Sequence, residues 1–168
     1  MSQGARKLAL SLHLTVSVGW IGTVIAYLAL GLSAVRAKDS ERVRAAWAAM
    51  ELVGWYAIVP LAVSSLLTGL VLALGTKWGL FRHYWVSISF FLTLFSTVVL
   101  VLHMPTVSST AEVARTADTQ VLESLGGDLL HPAIGLGILL AVQVLNLYKP
   151  RGLTRYGWRK EQEERLRG

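Results

Sequence analysis

With 168 residues, 54% of them hydrophobic and 15% charged, and a mean hydropathy of +0.53, the chain falls outside the soluble globular range and reads as an integral membrane protein. The lack of cysteine excludes disulfides, thiolate metal sites, iron–sulfur clusters and covalently attached c-type haem. The net charge of +6 does not argue for nucleic acid, because seven basic residues cluster between Lys149 and Gly168, directly after the last apolar segment, where cytoplasmic retention of positive charge accounts for them.

Four apolar stretches, about 8–32, 52–75, 82–104 and 129–148, approach or exceed the roughly 20 residues that a spanning helix requires. They predict an all-α fold, a transmembrane four-helix bundle forming one domain over residues 1–168. The first stretch is too long for a signal-peptide core and reads as an uncleaved helix. With both termini cytoplasmic, the inner side carries eleven basic residues (Arg6, Lys7, Lys77, Arg82 and the tail 149–168) and the outer side five (Arg36, Lys38, Arg42, Arg44 and Arg115). That imbalance predicts an N-in, C-in topology.

In the first helix, His13, Ser17, Trp20, Val24 and Tyr27 recur at steps of three and four and share a face. Gly19, Gly22 and Thr23 supply small surfaces for helix approach. The segment 36–50 is polar at first and then apolar at Val43, Trp47 and Met50, a pattern for a short amphipathic helix, over about 40–50, on the outer interface. In the second helix Pro60 predicts a kink, and Ser64 and Thr68 stand at the spacing that can reoccupy freed backbone groups. Glu51, at the outer edge, reads as a solvated carboxylate or as a group that orients a histidine.

The third stretch, Arg82 to Pro105, has a histidine at each end, His83 and His103. No charge occurs over the eighteen positions from Trp85 to Leu102. Twenty residues separate the two histidines, roughly 30 Å of helix and roughly 200° of rotation. His103 shares its stripe with Ser96 and Ser89, a polar inward face. His83 shares its face with Ser87 and Phe90 and sits in an aromatic belt with Trp78, Tyr84 and Trp85. The outer loop 105–128 is expected to hold a short helix over 110–124 ended by Gly126 and Gly127. Asp128 is placed to cap the fourth helix, with His131 and Pro132 in its first turn and Gly135 and Gly137 permitting close packing.

The four histidines fall into two pairs by depth. His13 and His83 lie about 10 and 15 Å below the midplane; His103 and His131 lie about 15 and 12 Å above it. Bis-histidine ligation of haem b between bundle helices has this form, and two such sites would carry electrons across the membrane. Thus His103 and His131 are the expected ligands of an outer haem, and His13, with His83, those of an inner one. Trp20, Ser89, Ser96 and Glu51 are supporting residues. The partners would be the bilayer and a redox protein or quinone, and the glycines of the first and fourth helices would permit a homodimer. A copper site of Met50, His103, Met104 and His131 is a second metal reading. The rival from another class is a non-catalytic membrane subunit or small-molecule carrier with interfacial histidines. No nucleophile–base pair, phosphate loop or paired carboxylates supports a hydrolase or nucleotide-dependent enzyme.

The segments LHLTVSVGWIG, IVPLAVSSLLTG, WGLFRHYWVSISF, VLHMPTVS and NLYKPRGLTRYG together resemble a family of small bacterial integral membrane proteins common in actinobacteria. That resemblance implies a multi-pass protein of the bacterial plasma membrane and brings no activity. More distantly, the layout is similar to the HemJ-type protoporphyrinogen oxidases, four-helix membrane proteins that bind haem. His13 and Trp20, Pro60 with Thr68 and Gly69, and Lys149 with Pro150 carry that likeness. Where the family has a lysine four residues after a tryptophan, this chain has Ser89 after Trp85. The departure counts against porphyrinogen oxidation and leaves haem binding through His13. The resemblance thus emphasises His13, while helical phase emphasises His103 and His131.

Overall fold

The computed structural model describes residues 1–76 and 78–167, apart from the side chain of Glu123; Lys77 and Gly168 lie outside the described residues. Seven helices follow one another: α1 (Gln3–Arg36), α2 (Ser40–Val53), α3 (Val59–Gly75), α4 (Tyr84–Thr116), α5 (Thr119–Leu125), α6 (Leu130–Tyr148) and α7 (Arg155–Arg167). No strand occurs among the described residues. A single π-helical turn, Gly54–Ile58, joins α2 to α3. Four helical stretches are long and apolar enough to cross a membrane: Gln3–Arg36, Ser40–Gly75, Tyr84–Thr116 and Leu130–Tyr148. α1 and α4 each pack against α3 and α6, so these four close into a ring. Side chains such as Leu67, Leu74, Phe91, Phe95, Val144 and Leu147 leave the outer surface apolar.

Two elements depart from expectation. The stretch 40–50 is helical, but it continues through the π turn into α3. Its apolar side, Val43, Trp47 and Met50, is buried against protein, in the space between α1 and α4. The π turn ends just before Pro60, whose ring would clash with the preceding helical carbonyl; widening that turn by one residue makes room for it. Thr68 Oγ1 donates to the carbonyls of Ser64 (2.7 Å) and Ser65 (3.2 Å), as its spacing suggests.

The third helix, expected over about 82–104, does not stop there: Pro105 lies inside α4, which runs eleven residues further to Thr116. The cost of the missing hydrogen bond is met by packing. Met104, Val107, Ala111 and Ala114 form a fully buried stripe facing α2. Arg44 of α2 then caps the exposed end, its guanidinium donating to the carbonyls of Ala114, Arg115 and Ala117, each at 2.7 Å. The short helix expected over 110–124 is therefore split between the end of α4 and α5.

The tail folds back. Tyr84 N–H donates to the Gly152 carbonyl at 3.2 Å and Thr154 N–H to the Arg82 carbonyl at 3.0 Å. Arg82 grips Glu164 of α7 with two hydrogen bonds of 2.9 and 3.1 Å. These bonds hold the Glu164 carboxyl below the usual carboxylate range. A lowered folded-state value means that the contribution is full above the unfolded value and is lost as pH falls through the folded one. Protection of α7 amides, read by hydrogen exchange, should therefore decline below about pH 4. Glu164→Gln should reproduce the acid state at neutral pH; equal protection in that variant would disprove the coupling.

Candidate functional site

The packed core gathers at the end of the bundle where α2 and α5 lie, and there the 126–128 connection is pinned residue by residue. Trp47 Nε1–H donates to the Gly126 carbonyl at 3.2 Å. Gly127 lies against the backbone of α1 so closely that a Cβ would stand 2.2 Å from the Gly31 carbonyl oxygen. Asp128 is thereby delivered into the bundle. Its Oδ2 accepts from the Tyr27 hydroxyl (3.0 Å) and from His103 Nε2–H (2.8 Å), and its Oδ1 lies 3.7 Å from His131 Nδ1. The two imidazoles stack face to face, centroids 4.0 Å apart and planes 24° from parallel. The Asp128 side chain is 10% exposed, His103 18% and His131 53%.

These contacts revise several expectations. Asp128 does not cap α6: Leu129 holds that position and no side chain caps it. Glu51 orients no histidine; it pairs with Arg115, which also binds Glu112 at 2.7 Å. Asp128 takes the orienting role instead. His103 and His131 are brought together, but a bis-histidine haem needs iron between two ring edges, and rings stacked face to face around one carboxylate do not have that geometry. Of the residues in the copper reading, His103, Met104 and His131 line one cavity, while Met50 lies fully buried in the core cluster and does not line it.

That cavity, about 220 Å³, is bordered by Tyr27, Ser96, His103, Met104, Asp128 and His131 among apolar side chains. A second, of about 620 Å³, opens toward the Arg82 end of the bundle, and Trp20 and Leu139 border both. His13, Ser17, Ser65 and Ser89 line the second cavity, with Arg6, Lys7 and Lys149. Among the described residues no acidic side chain lines it. Lys149, in the left-handed conformation with φ 45°, ends α6 and sets its ammonium 5.6 Å from the Trp78 ring. The serine stripe is divided: Ser89 borders the larger cavity and Ser96 the smaller. Both hydroxyls are buried without a hydrogen-bond partner.

The hydrogen bonds of His13 select one tautomer. Thr68 spends its only proton on a helix carbonyl, so toward His13 Nδ1, 3.0 Å away, its oxygen can only accept. Nδ1 therefore carries the hydrogen and Nε2 keeps the lone pair, the state required of a metal-ligating imidazole. The ring lies against Gly69, where a Cβ would come within 3.1 Å of Cε1. His83 does not join His13. Its Nδ1–H donates to the Trp78 carbonyl at 2.7 Å, its ring meets Trp78 edge-on, and it does not line the His13 cavity. The expected inner pair is thus a single histidine. Asp128 and Tyr27 were not singled out as site residues from sequence, although Asp128 precedes His131 by one helical turn and Tyr27 shares the His13 face.

Fold and sites together define an all-helical protein of four potential membrane-crossing helices, with a His–Asp–His cluster at one end and a histidine cavity with basic residues at the other. No protein-family model, curated protein or solved structure matches the chain.

Proposed function

We propose that the chain is a multi-pass protein of the bacterial plasma membrane that binds haem b in the larger cavity through His13. Its service would be transmembrane electron transfer or porphyrin-linked oxidation. The observation that carries this reading is the combination inside that cavity. An imidazole whose lone pair is left at Nε2 shares a large apolar space with three cations, Arg6, Lys7 and Lys149, and among the described residues no acidic side chain lines that space. A volume of about 620 Å³ falls within the range of cofactor pockets, roughly 300–1,000 Å³.

His13 would supply the iron ligand, the three cations would face the propionate carboxylates, and Trp20, Trp78, Trp85 and Phe90 would cover the macrocycle. When bound, haem supplies one-electron chemistry; the chain's part is to exclude water and hold the ligand tautomer. Residues carrying the HemJ-type likeness, His13, Trp20, Gly69 and Lys149, border this one cavity, and Thr68 fixes His13. An N-in, C-in topology puts that cavity on the cytoplasmic side. The five basic residues then assigned to the outer side include Arg44 and Arg115, which are engaged in helix capping and ion pairs.

The test is the absorption spectrum of detergent-purified protein from haem-replete cells, oxidised and dithionite-reduced, with haem extracted and counted. One haem per chain, with a Soret band and reduced α and β bands, is expected. A colourless protein would overturn the proposal and leave the carrier or subunit reading.

A further inference from the structure

We infer that His103, Asp128 and His131 bind one divalent first-row transition-metal ion, at a site separate from the haem and independent of it. Each residue offers one ligand atom, and these atoms lie within 4.8 Å of one another; no other such group of three occurs among the described residues. Two imidazoles and one carboxylate, with no thiolate, suit iron(II), zinc, manganese or copper(II). They come from three elements, α4, the 126–128 connection and α6, so the fold assembles the set rather than one helical turn.

The simpler alternative is an ion pair between α4 and the 126–128 connection. His103 and Asp128 alone satisfy it. It leaves unexplained why His131, half-exposed and 3.7 Å from the carboxylate, stacks its ring on His103. The surroundings also have the form of a metal site. Tyr27 donates to the carboxylate from outside the cluster, an orienting hydrogen bond of the kind metal ligands receive. Ser96, over nine-tenths buried with an unpartnered hydroxyl, lines the same cavity and offers a partner to a metal-bound water.

Full-length protein in detergent, stripped with chelator, would be titrated with Zn(II), and the bound metal counted by mass spectrometry after desalting. Wild type and His13→Ala should both bind one ion per chain, which separates this site from the haem. His131→Ala should weaken binding at least tenfold and Asp128→Asn similarly. Tyr27→Phe should cost roughly 10–100-fold. Loaded with Cu(II), the protein should show electron-paramagnetic hyperfine structure from two nitrogens, reduced to one in His131→Ala. His131 is half-exposed, so its removal spares the core and stays informative if Asp128→Asn fails to fold. No stoichiometric zinc in the wild type, or unchanged binding in His131→Ala, would overturn the inference and leave the ion pair.

Discussion

Replacing Gly127 by alanine should destabilise the protein more than any other glycine-to-alanine change near the His–Asp–His cluster. The added methyl would lie 2.2 Å from the Gly31 carbonyl oxygen and 2.9 Å from its carbon, both backbone atoms of α1, so no side chain can swing away. The connection must lift off α1. Asp128, the next residue, then withdraws from Tyr27 and His103. Overpacking of this kind costs about 3 kcal/mol at its upper end. That corresponds to a fall in melting temperature on the order of 10 °C for a chain of this size. Zinc affinity at the His–Asp–His cluster should fall with it. Gly135→Ala and Gly137→Ala are the matched controls. Apart from chain neighbours and the helix's own backbone, nothing lies within 4 Å of a Cβ at either position, and alanine favours helix, so both should be neutral or slightly stabilising. A Gly127→Ala protein that melts with the wild type would mean that the connection does not rest on α1 as described.

His13→Ala should abolish haem binding, taking the extracted haem from one per chain to none. Little else should change, since the ring sits at a cavity wall against Gly69 and Thr68. Thr68→Ala tests the tautomer argument more sharply. Without the Oγ acceptor, Nδ1–H loses its partner and the lone pair is no longer directed to Nε2; retention should weaken roughly 10–100-fold, with the ring still present. His83→Ala should keep full haem content, because that ring is committed to the Trp78 carbonyl. Adding imidazole to His13→Ala should partly restore the Soret band. Full haem content in His13→Ala would remove the assignment, and loss in His83→Ala instead would transfer the ligand role to that histidine.

Much of the helical architecture was legible because it depends on runs of adjacent residues. Apolar stretches of sufficient length announce the four long helices, and a spacing of seven, two helical turns, places Ser89, Ser96 and His103 on one inward stripe, where the two cavities now find them. Pro60 announced an irregularity in the second helix, expected as a kink and found as a π turn, and Gly126, which adopts φ +59°, announced the end of α5. The end of the third helix was misplaced because the uncharged apolar run stops near Pro105, whereas the buried stripe of Met104, Val107, Ala111 and Ala114 carries the helix on. That stripe was itself readable, at helical spacing, within a segment taken for loop. The glycines misled in a similar way. Gly135 and Gly137 border open space, while the close backbone approach belongs to Gly31 and Gly127, one of which looked like a helix stop.

The sequence by itself determined an all-helical chain, four helices of membrane-crossing length and the histidines as its candidate ligands. Only the tertiary structure decided how those histidines are used. Asp128 reads locally as a helix cap; folded, it bonds Tyr27 across 101 residues and His103 across 25. The tautomer of His13 is set by Thr68, 55 residues away. Helix formation is driven by neighbours along the chain, which a sequence displays. The protonation state and pairing of a buried imidazole depend on whichever polar atom packing brings within 3 Å, and helical phase and depth alone do not name it.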